Sequence, residues 1–266
     1  MINYYESYSS AMHEISMEKY VSNTAFHNYT LKGQTKNCDE IIKKGEHFLF
    51  GISPFNSRFK KKYVESVFGW ATKRFKKIDI LLPDIESASR LLIATGVMES
   101  KAISKTRLEL NRHKNYLNRI ISDLSIFDNI NIYDFADFFT DEKYVNLVRD
   151  VSELYYNNDK FKIVCDDMTI QAVNGRSKAY NYDPVELKSI LKIALPYVIS
   201  EIPLFTNAAN LLGERSSVLV YHKFWPIGES LFNKHFSISV AYKPSVWGSS
   251  YCIELLSPYL HNQRCT

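Results

Sequence analysis

The sequence is poor in the residues that build loops and frameworks: among 266 residues there are 9 Gly, 8 Pro and 4 Cys. Cys38, Cys165, Cys252 and Cys265 are scattered, with no CxxC pair and no His at ligand spacing. The common zinc patterns are therefore excluded, no metal is expected, and the thiols are read as reduced, as in a cytosolic protein. No stretch approaches the ~18 apolar residues of a membrane span, so no membrane partner is expected. The opening MINYYESYSSAMHE has no basic region followed by an apolar run, which argues against a secretory signal and for a cytoplasmic location. Neither GxxxxGK[ST] nor GxGxxG occurs, so nothing supports a glycine loop that cradles nucleotide phosphates. Internal repeats are absent as well.

What is present is apolar and aromatic: hydrophobic residues make up 45% and Phe, Trp and Tyr 14%, enough for a packed core rather than a disordered chain. The formal net charge of +4 conceals a strong asymmetry. Residues 58–122 carry 15 Lys+Arg against 6 Asp+Glu, or +9, and the remainder carries 18 against 23, or −5. Such polarity points to one face that meets a polyanion.

Residues 1–40 are polar and rich in Tyr, Ser and Asn, and are read as a loosely packed N-terminal extension ahead of one α/β domain over 41–266. Within that domain, apolar runs ended by turn residues predict strands at His47–Ile52 and Ile78–Leu82, with shorter ones at Asn131–Tyr133, Val218–Tyr221 and Ser237–Tyr242. Helical periodicity predicts helices over Lys60–Lys77, Ile85–Thr95, Ala102–Leu124, Asp141–Asn157, Phe161–Val173 and Pro184–Ile202. Uninterrupted apolar strands alternating with helices imply a central parallel sheet covered on both faces.

Three places carry candidate chemistry. Ser53 falls where the first strand ends, and ligands of parallel sheets gather outside the carboxyl ends of strands. Asn56, three residues on, has both a donor and an acceptor, although Ser and Asn are also ordinary turn formers and caps. The hydrolase elbow GxSxG is only half present because Phe55 takes the place of its second Gly, which disfavours a serine hydrolase. Tyr197 and Glu201 are four apart on one helix and share a face; with Pro203 read as the helix stop, Glu201 sits against the dipole, an acid held for a task or a solvated end. Tyr221 and His222 close the late strand, again at a carboxyl edge, where packing is the plain alternative.

The long helix carries the strongest purely physical signal. At 100° per residue, Lys101, Lys105, Arg112 and Arg119 fall in a stripe about 40° wide and about 27 Å long. Ile103, Leu110, Leu117, Ile121 and Leu124 form a separate arc that can face the core. Between Lys101 and Arg119 only Glu109 is acidic, whereas solvated faces usually mix signs, so the stripe reads as a phosphate-tracking surface. RNA suits it at least as well as DNA. The clusters Lys60–Lys62 and Lys73, Arg74, Lys76 and Lys77 add charge nearby.

Taken together, Gly51–Phe59 (GISPFNSRF), the YxxxExP segment Tyr197–Pro203, and Ser217–His222 (SVLVYH) resemble the cyclodipeptide synthases, in that family's order and spacing, over about residues 45–242. Asn56, Tyr221 and His222 match the Asn/Tyr/His signature of one subgroup, and GISPFNSRF is similar to Bacillus-type members that make leucine-containing products. The resemblance implies a Rossmann-like domain similar to the catalytic domain of class I aminoacyl-tRNA synthetases, without amino-acid activation and hence without ATP or any cofactor. The implied substrates are two aminoacyl-tRNAs, Leu-tRNA being the expected one, with no role for DNA; a monomer is expected. Ser53 is implied as nucleophile, Glu201 as the site of the α-ammonium with Tyr197 beside it, and Tyr221 as proton relay through an acyl-enzyme and a dipeptidyl-enzyme to a diketopiperazine.

By the same resemblance Asn56, Val198, Ile199, Ser200 and His222 help bind substrate, and Leu49, Gly51, Leu81, Leu204 and Leu219 line an apolar first pocket suited to Leu and a cyclo(Leu-Leu)-like product. Lys101, Lys105, Arg112 and Arg119 match the region that binds tRNA. One departure stands out: where relatives can carry Asn-Arg before the Tyr/Glu helix, this chain has Asn174, Gly175 and Arg176. A non-catalytic tRNA-binding module is the competing reading.

Overall fold

The structure, a computed structural model, describes residues 36–124, 129–176, 182–221, 226–232 and 249–254. In chain order these form α1 (Lys36–Lys44), β1 (His47–Gly51), α2 (Lys61–Ala71), β2 (Lys77–Leu82), α3 (Ile85–Ile93), α4 (Glu99–Leu124) and β3 (Ile130–Asp134). A 3₁₀ turn at Phe135–Phe138 leads to α5 (Glu142–Asn157), α6 (Asp159–Asn174), α7 (Pro184–Thr206), α8 (Ala208–Leu211), β4 (Ser217–Tyr221), α9 (Pro226–Phe232) and β5 (Ser249–Glu254). The five strands pair in parallel in the order β3-β2-β1-β4-β5. The predicted α/β class, with a central parallel sheet between helices, is what is observed.

Alternation along the strands splits the core in two. Phe48 and Phe50 of β1, Ile78, Ile80 and Leu82 of β2, and Val218 and Val220 of β4 point to one face. There they pack under Val64, Val67 and Phe68 of α2 and Tyr116, Leu117 and Ile120 of α4. Leu49, Leu81 and Leu219, one residue out of phase, point to the other face and into the helices α5, α6 and α7. A period of two on strands covered on both sides gives continuous apolar runs with two destinations. Each fully buried Phe or Leu contributes roughly 1.5–3 kcal/mol, and Phe48 against Phe75, 5.1 Å between ring centres, anchors the first face.

Several element ends differ from expectation. α2 stops at Ala71 rather than running to Lys77; Arg74 lies over the Trp70 ring, 4.6 Å from its centre, and Lys77 opens β2. α4 starts earlier, at Glu99, and its buried face passes through Ala102, Thr106, His113, Tyr116 and Ile120, while Ile103 and Ile121 are only half-buried. α1 was not foreseen and crosses residue 40, where the extension was expected to end; its Ile41 is buried. The expected strand Ser237–Tyr242 lies outside the described residues, and β5 is an unforeseen strand beside β4.

The largest difference concerns α7. Its start is as the sequence dictates, with Asp183 accepting from the backbone N–H groups of Val185 and Glu186, Glu186 reaching back, and Pro184 in the first turn. Pro203, however, does not stop it: the helix continues to Thr206. A Pro inside a helix costs about 3 kcal/mol, and here the continuous burial of Ile202, Leu204 and Phe205 in the core offsets that cost. Against the expectation that no stretch approaches a membrane span, α7 has the length and apolar composition of one, with a mean hydropathy of 1.3, but 61% of that window is buried inside the protein, as befits a core helix.

Candidate active site

The chain leaves β1 on one side of the sheet for β2 and β3 and returns on the other side as β4, so β1 and β4 flank the topological switch point. A crevice opens there at the carboxyl ends of the strands. Ser53, two residues past β1, lies in it and is buried at 8% exposure. Backbone pairing carries the chain to this point, since Ile52 N–H still donates to the Leu81 carbonyl at 3.0 Å.

The turn that follows is unusual. Phe55 has φ of +62°, a conformation that favours Gly and occurs at the place where a hydrolase elbow carries one. The turn is held by Asn56, whose Oδ1 accepts from Arg58 N–H at 3.0 Å while its carbonyl accepts from Phe59 N–H, also at 3.0 Å. Behind it, the Tyr116 hydroxyl of α4 donates to the Phe59 carbonyl at 3.3 Å. The loop bearing Ser53 is thus tied to the basic helix.

A cavity of about 410 Å³ opens over Ser53. Phe55, Asn56 and Ser57 line one side, Met168, Gln171, Ala172, Gly175 and Arg176 another, and Tyr197, Val198, Glu201 and Pro226 close it. Ser53, Asn56, Tyr197, Val198 and Glu201, far apart in sequence, share this one space. Because α7 runs on to Thr206, Glu201 is a full turn inside the helix and buried at 9% exposure, not a frayed terminus. Ser200 donates to the Tyr197 carbonyl at 2.8 Å, and its own carbonyl accepts from the Tyr144 hydroxyl at 3.1 Å, which fixes the turn that presents Tyr197 and Glu201. Neither Ile199 nor Ser200 lines the cavity.

Arg176 was missed as a site residue. It follows α6 and turns inward: Nη2 donates to Ser53 Oγ at 3.0 Å and to the Pro54 carbonyl at 2.9 Å, and Nη1 donates to the Ala172 carbonyl. Its Nε is buried without a hydrogen-bond partner among the described residues. A guanidinium against a serine oxygen favours negative charge developing on that oxygen. The signal was present in the departure at Asn174–Arg176, but sequence spacing alone does not aim a side chain across 123 residues at Ser53. Gly175 caps α6 in right-handed helical geometry, and a Cβ there would make only ordinary contacts, 3.6 Å at the nearest. Met168, Gln171 and Pro226 were equally unannounced.

The residues expected to form an apolar first pocket lie apart from the lining of this cavity. Leu49, Leu81, Leu204 and Leu219 do not line the cavity; they are buried in the core beneath it, packed with Tyr197 and Val198, and Gly51 is buried in β1. Leu side chains on fully covered strands fill the sheet's own packing before they can face a ligand. Tyr221 ends β4 beside the switch point, opposite Glu254 of β5, and His222 lies outside the described residues. Lys101, Lys105, Arg112 and Arg119 are all exposed along α4, with Arg112 2.6 Å from Glu109 Oε1. Among the described residues no group of three His, Cys, Asp or Glu side chains converges as a metal site.

Comparison with known proteins fits this geometry. The family model described as "Cyclodipeptide synthase" matches residues 29–245. A relative from Photorhabdus laumondii named cyclo(L-leucyl-L-leucyl) synthase is 42% identical over 221 residues, covering 82% of this chain and 94% of its own. The crystal structure of a cyclodipeptide synthase from Bacillus thermoamylovorans superposes with a TM-score of 0.76 at 30% identity, over 86% of this chain and 96% of the other. A Mycobacterium tuberculosis structure, described as showing that cyclodipeptide synthetases are related to type I tRNA synthetases, shares the fold with a TM-score of 0.72 at 18% identity, over 88% and 95%.

Proposed function

The chain belongs to the cyclodipeptide synthase family and is an enzyme of that class, and from this premise we propose that it joins two aminoacyl groups from charged tRNAs into a leucine-containing diketopiperazine, through an ester on Ser53. The observation that carries the reading is the convergence of Ser53, Arg176, Tyr197 and Glu201 on one cavity at the switch point. An aminoacyl ester is already activated, so amide formation from it runs downhill without ATP, and its leaving group is a ribose hydroxyl rather than an amine.

In the first step Ser53 Oγ attacks the ester carbonyl; the bond to the tRNA oxygen breaks and the serine proton passes to that departing hydroxyl. Arg176, donating to Oγ, stabilises the alkoxide character that develops. Glu201 receives the α-ammonium of the bound residue, with Tyr197 on the same helical face one turn earlier. Once deprotonated, that amine attacks the ester of a second aminoacyl-tRNA, the second tRNA hydroxyl leaves, and a dipeptidyl ester remains on Ser53. The new terminal amine then attacks this ester, closing the six-membered ring and returning a proton to Ser53 Oγ. Tyr221, at the end of β4, is assigned the proton relay, Asn56 and His222 substrate contacts, and Lys101, Lys105, Arg112 and Arg119 the tRNA body.

Leucine as substrate is supported by the name of the Photorhabdus relative and by the apolar residues among those lining the cavity, Phe55, Met168, Ala172, Val198 and Pro226. A polar guest there would cost a few kcal/mol when left unpaired, while an apolar lining separates Leu from Met or Phe only modestly. The test is expression in a bacterial host with mass spectrometry of the medium. Cyclo(Leu-Leu) and related hydrophobic diketopiperazines are expected, absent with Ser53→Ala although that variant still binds tRNA. Product formation by Ser53→Ala refutes the acyl-enzyme.

A further inference from the structure

α4 leads into β3 by a short connection and therefore runs antiparallel to the strands. Its C-terminal half covers the sheet through Tyr116, Leu117 and Ile120, and the Tyr116 hydroxyl reaches Phe59, just past the Ser53 loop. The turns before Tyr116 thus extend past the carboxyl edge of the sheet, the edge at which the cavity opens. Lys101 is about 22 Å further along the axis than Tyr116.

On this projecting part, the solvent face is not uniformly cationic. Leu108 is 72% exposed, and at helical spacing it lies in line with Lys105 and Arg112, in the middle of the stripe. Among the described residues, Lys101, Lys105 and Arg119 have no ion-pair partner, so three of the stripe's four charges are uncommitted around one bare apolar side chain. A polyanion held by these charges must set part of its own surface on Leu108. A phosphate there would lose water without gaining a partner. The apolar surfaces of a nucleic acid are its base faces, which are stacked out of reach inside a duplex and open only at a helix end or in an unpaired strand.

We propose that Leu108 packs against an exposed base face at the acceptor end of the tRNA, while Lys105 and Arg112 hold the phosphates on either side. The cations supply affinity for any RNA backbone; Leu108 supplies register, selecting the end of the stem over its middle. This rests on the reading of charged tRNA as substrate.

The test measures binding of uncharged leucine-accepting tRNA, and of a closed RNA dumbbell with the same stem, its two ends bridged by non-nucleotide linkers so that it has neither a free end nor an unpaired base, over a range of salt. Leu108→Ala is expected to weaken tRNA binding about tenfold, as loss of part of a buried Leu would. It should leave the slope of affinity against salt unchanged and spare the dumbbell. Arg112→Ala should weaken both RNAs and reduce that slope by about one. Leu108→Lys should also bind tRNA less well despite its added charge. Wild-type affinity in Leu108→Ala, equal weakening of both RNAs, or a gain in Leu108→Lys overturns the proposal. Failure of the underlying reading looks different: the wild-type protein then shows no salt-dependent RNA binding at all. Leu108 is exposed, so the variants keep the fold.

Discussion

The two ends of the same sheet carry serine chemistry of opposite kinds. At the amino end, His47 Nδ1 is 2.8 Å from Ser217 Oγ and its Nε2 is 3.1 Å from Asp79 Oδ2. That is a Ser, a His and an Asp in hydrogen-bonded series, and all three side chains are buried. Asn131 donates to Asp79 at 2.8 Å, and Lys77, 3.5 Å from Asp79, donates to Glu214 at 2.5 Å. At the carboxyl end Ser53 has no His beside it among the described residues, only an arginine, yet it opens on a cavity. The set that looks catalytic by residue type is sealed and satisfied; the one that looks plain is accessible. Access and an incompletely used donor, more than residue identity, separate a site from a structural network.

Since a carboxylate can only accept, His47 Nε2 donates to Asp79, while its Nδ1 pairs with the Ser217 hydroxyl. Every member then has a partner, and the network clamps β1, β2, β3 and β4 together near their starts. Burial alone pushes the Asp79 carboxyl up, but hydrogen bonds from His47 and Asn131 and the charges of His47 and Lys77 more than reverse it, holding it below the ordinary carboxylate range.

The contrast breaks most sharply at the two serines. Ser53→Ala is expected to lower diketopiperazine formation by about a thousandfold or more, read by mass spectrometry with charged tRNA. Ser217→Ala should leave the rate within about twofold. Loss of activity in a folded Ser217→Ala protein would make the amino end functional and end the comparison. Next in size is Asp79→Asn, which removes the charge on which three donors converge and should cost about 2–4 kcal/mol, seen as a drop in Tm. A carboxyl whose folded pKa is depressed stabilises the protein above its unfolded value near 4, and the contribution is lost as pH falls through the folded value. Acid unfolding of the wild type should therefore steepen below about pH 4, and Asp79→Asn should flatten that part of the curve.

Arg176→Lys keeps the charge but loses the fork that spans Ser53, Pro54 and Ala172. Its turnover should fall about tenfold to a hundredfold, with KM for charged tRNA nearly unchanged. A rise in KM alone would move Arg176 from the chemistry to tRNA binding. The smallest effect belongs to Ser217→Ala again, now in stability: the loss of one hydrogen bond should cost about 1 kcal/mol by chemical denaturation. A neutral result would show that the network is held without its serine.

Much was legible without coordinates. Apolar runs of strand length and helical periodicity carried the class and most elements, because these are local signals read within one or two turns. The basic stripe was legible for the same reason: four charges at helical spacing share a face whatever the helix packs against. The end of α7 was not, since Pro203 is a local stop and only burial of the following turn overrides it.

The pairing of Ser53 with Tyr197 and Glu201 came from family resemblance, not from pattern. Arg176 and the retreat of Leu49, Leu81, Leu204 and Leu219 into the core came only with the structure. What the chain determined by itself were properties of single elements: where each begins, which face is apolar, which is charged. Which elements meet, which serine faces water and which is sealed against His47 were decided by the tertiary structure. Strand order and the two-sided cover of the sheet are set by long-range packing, and no window of sequence contains both partners of such a contact.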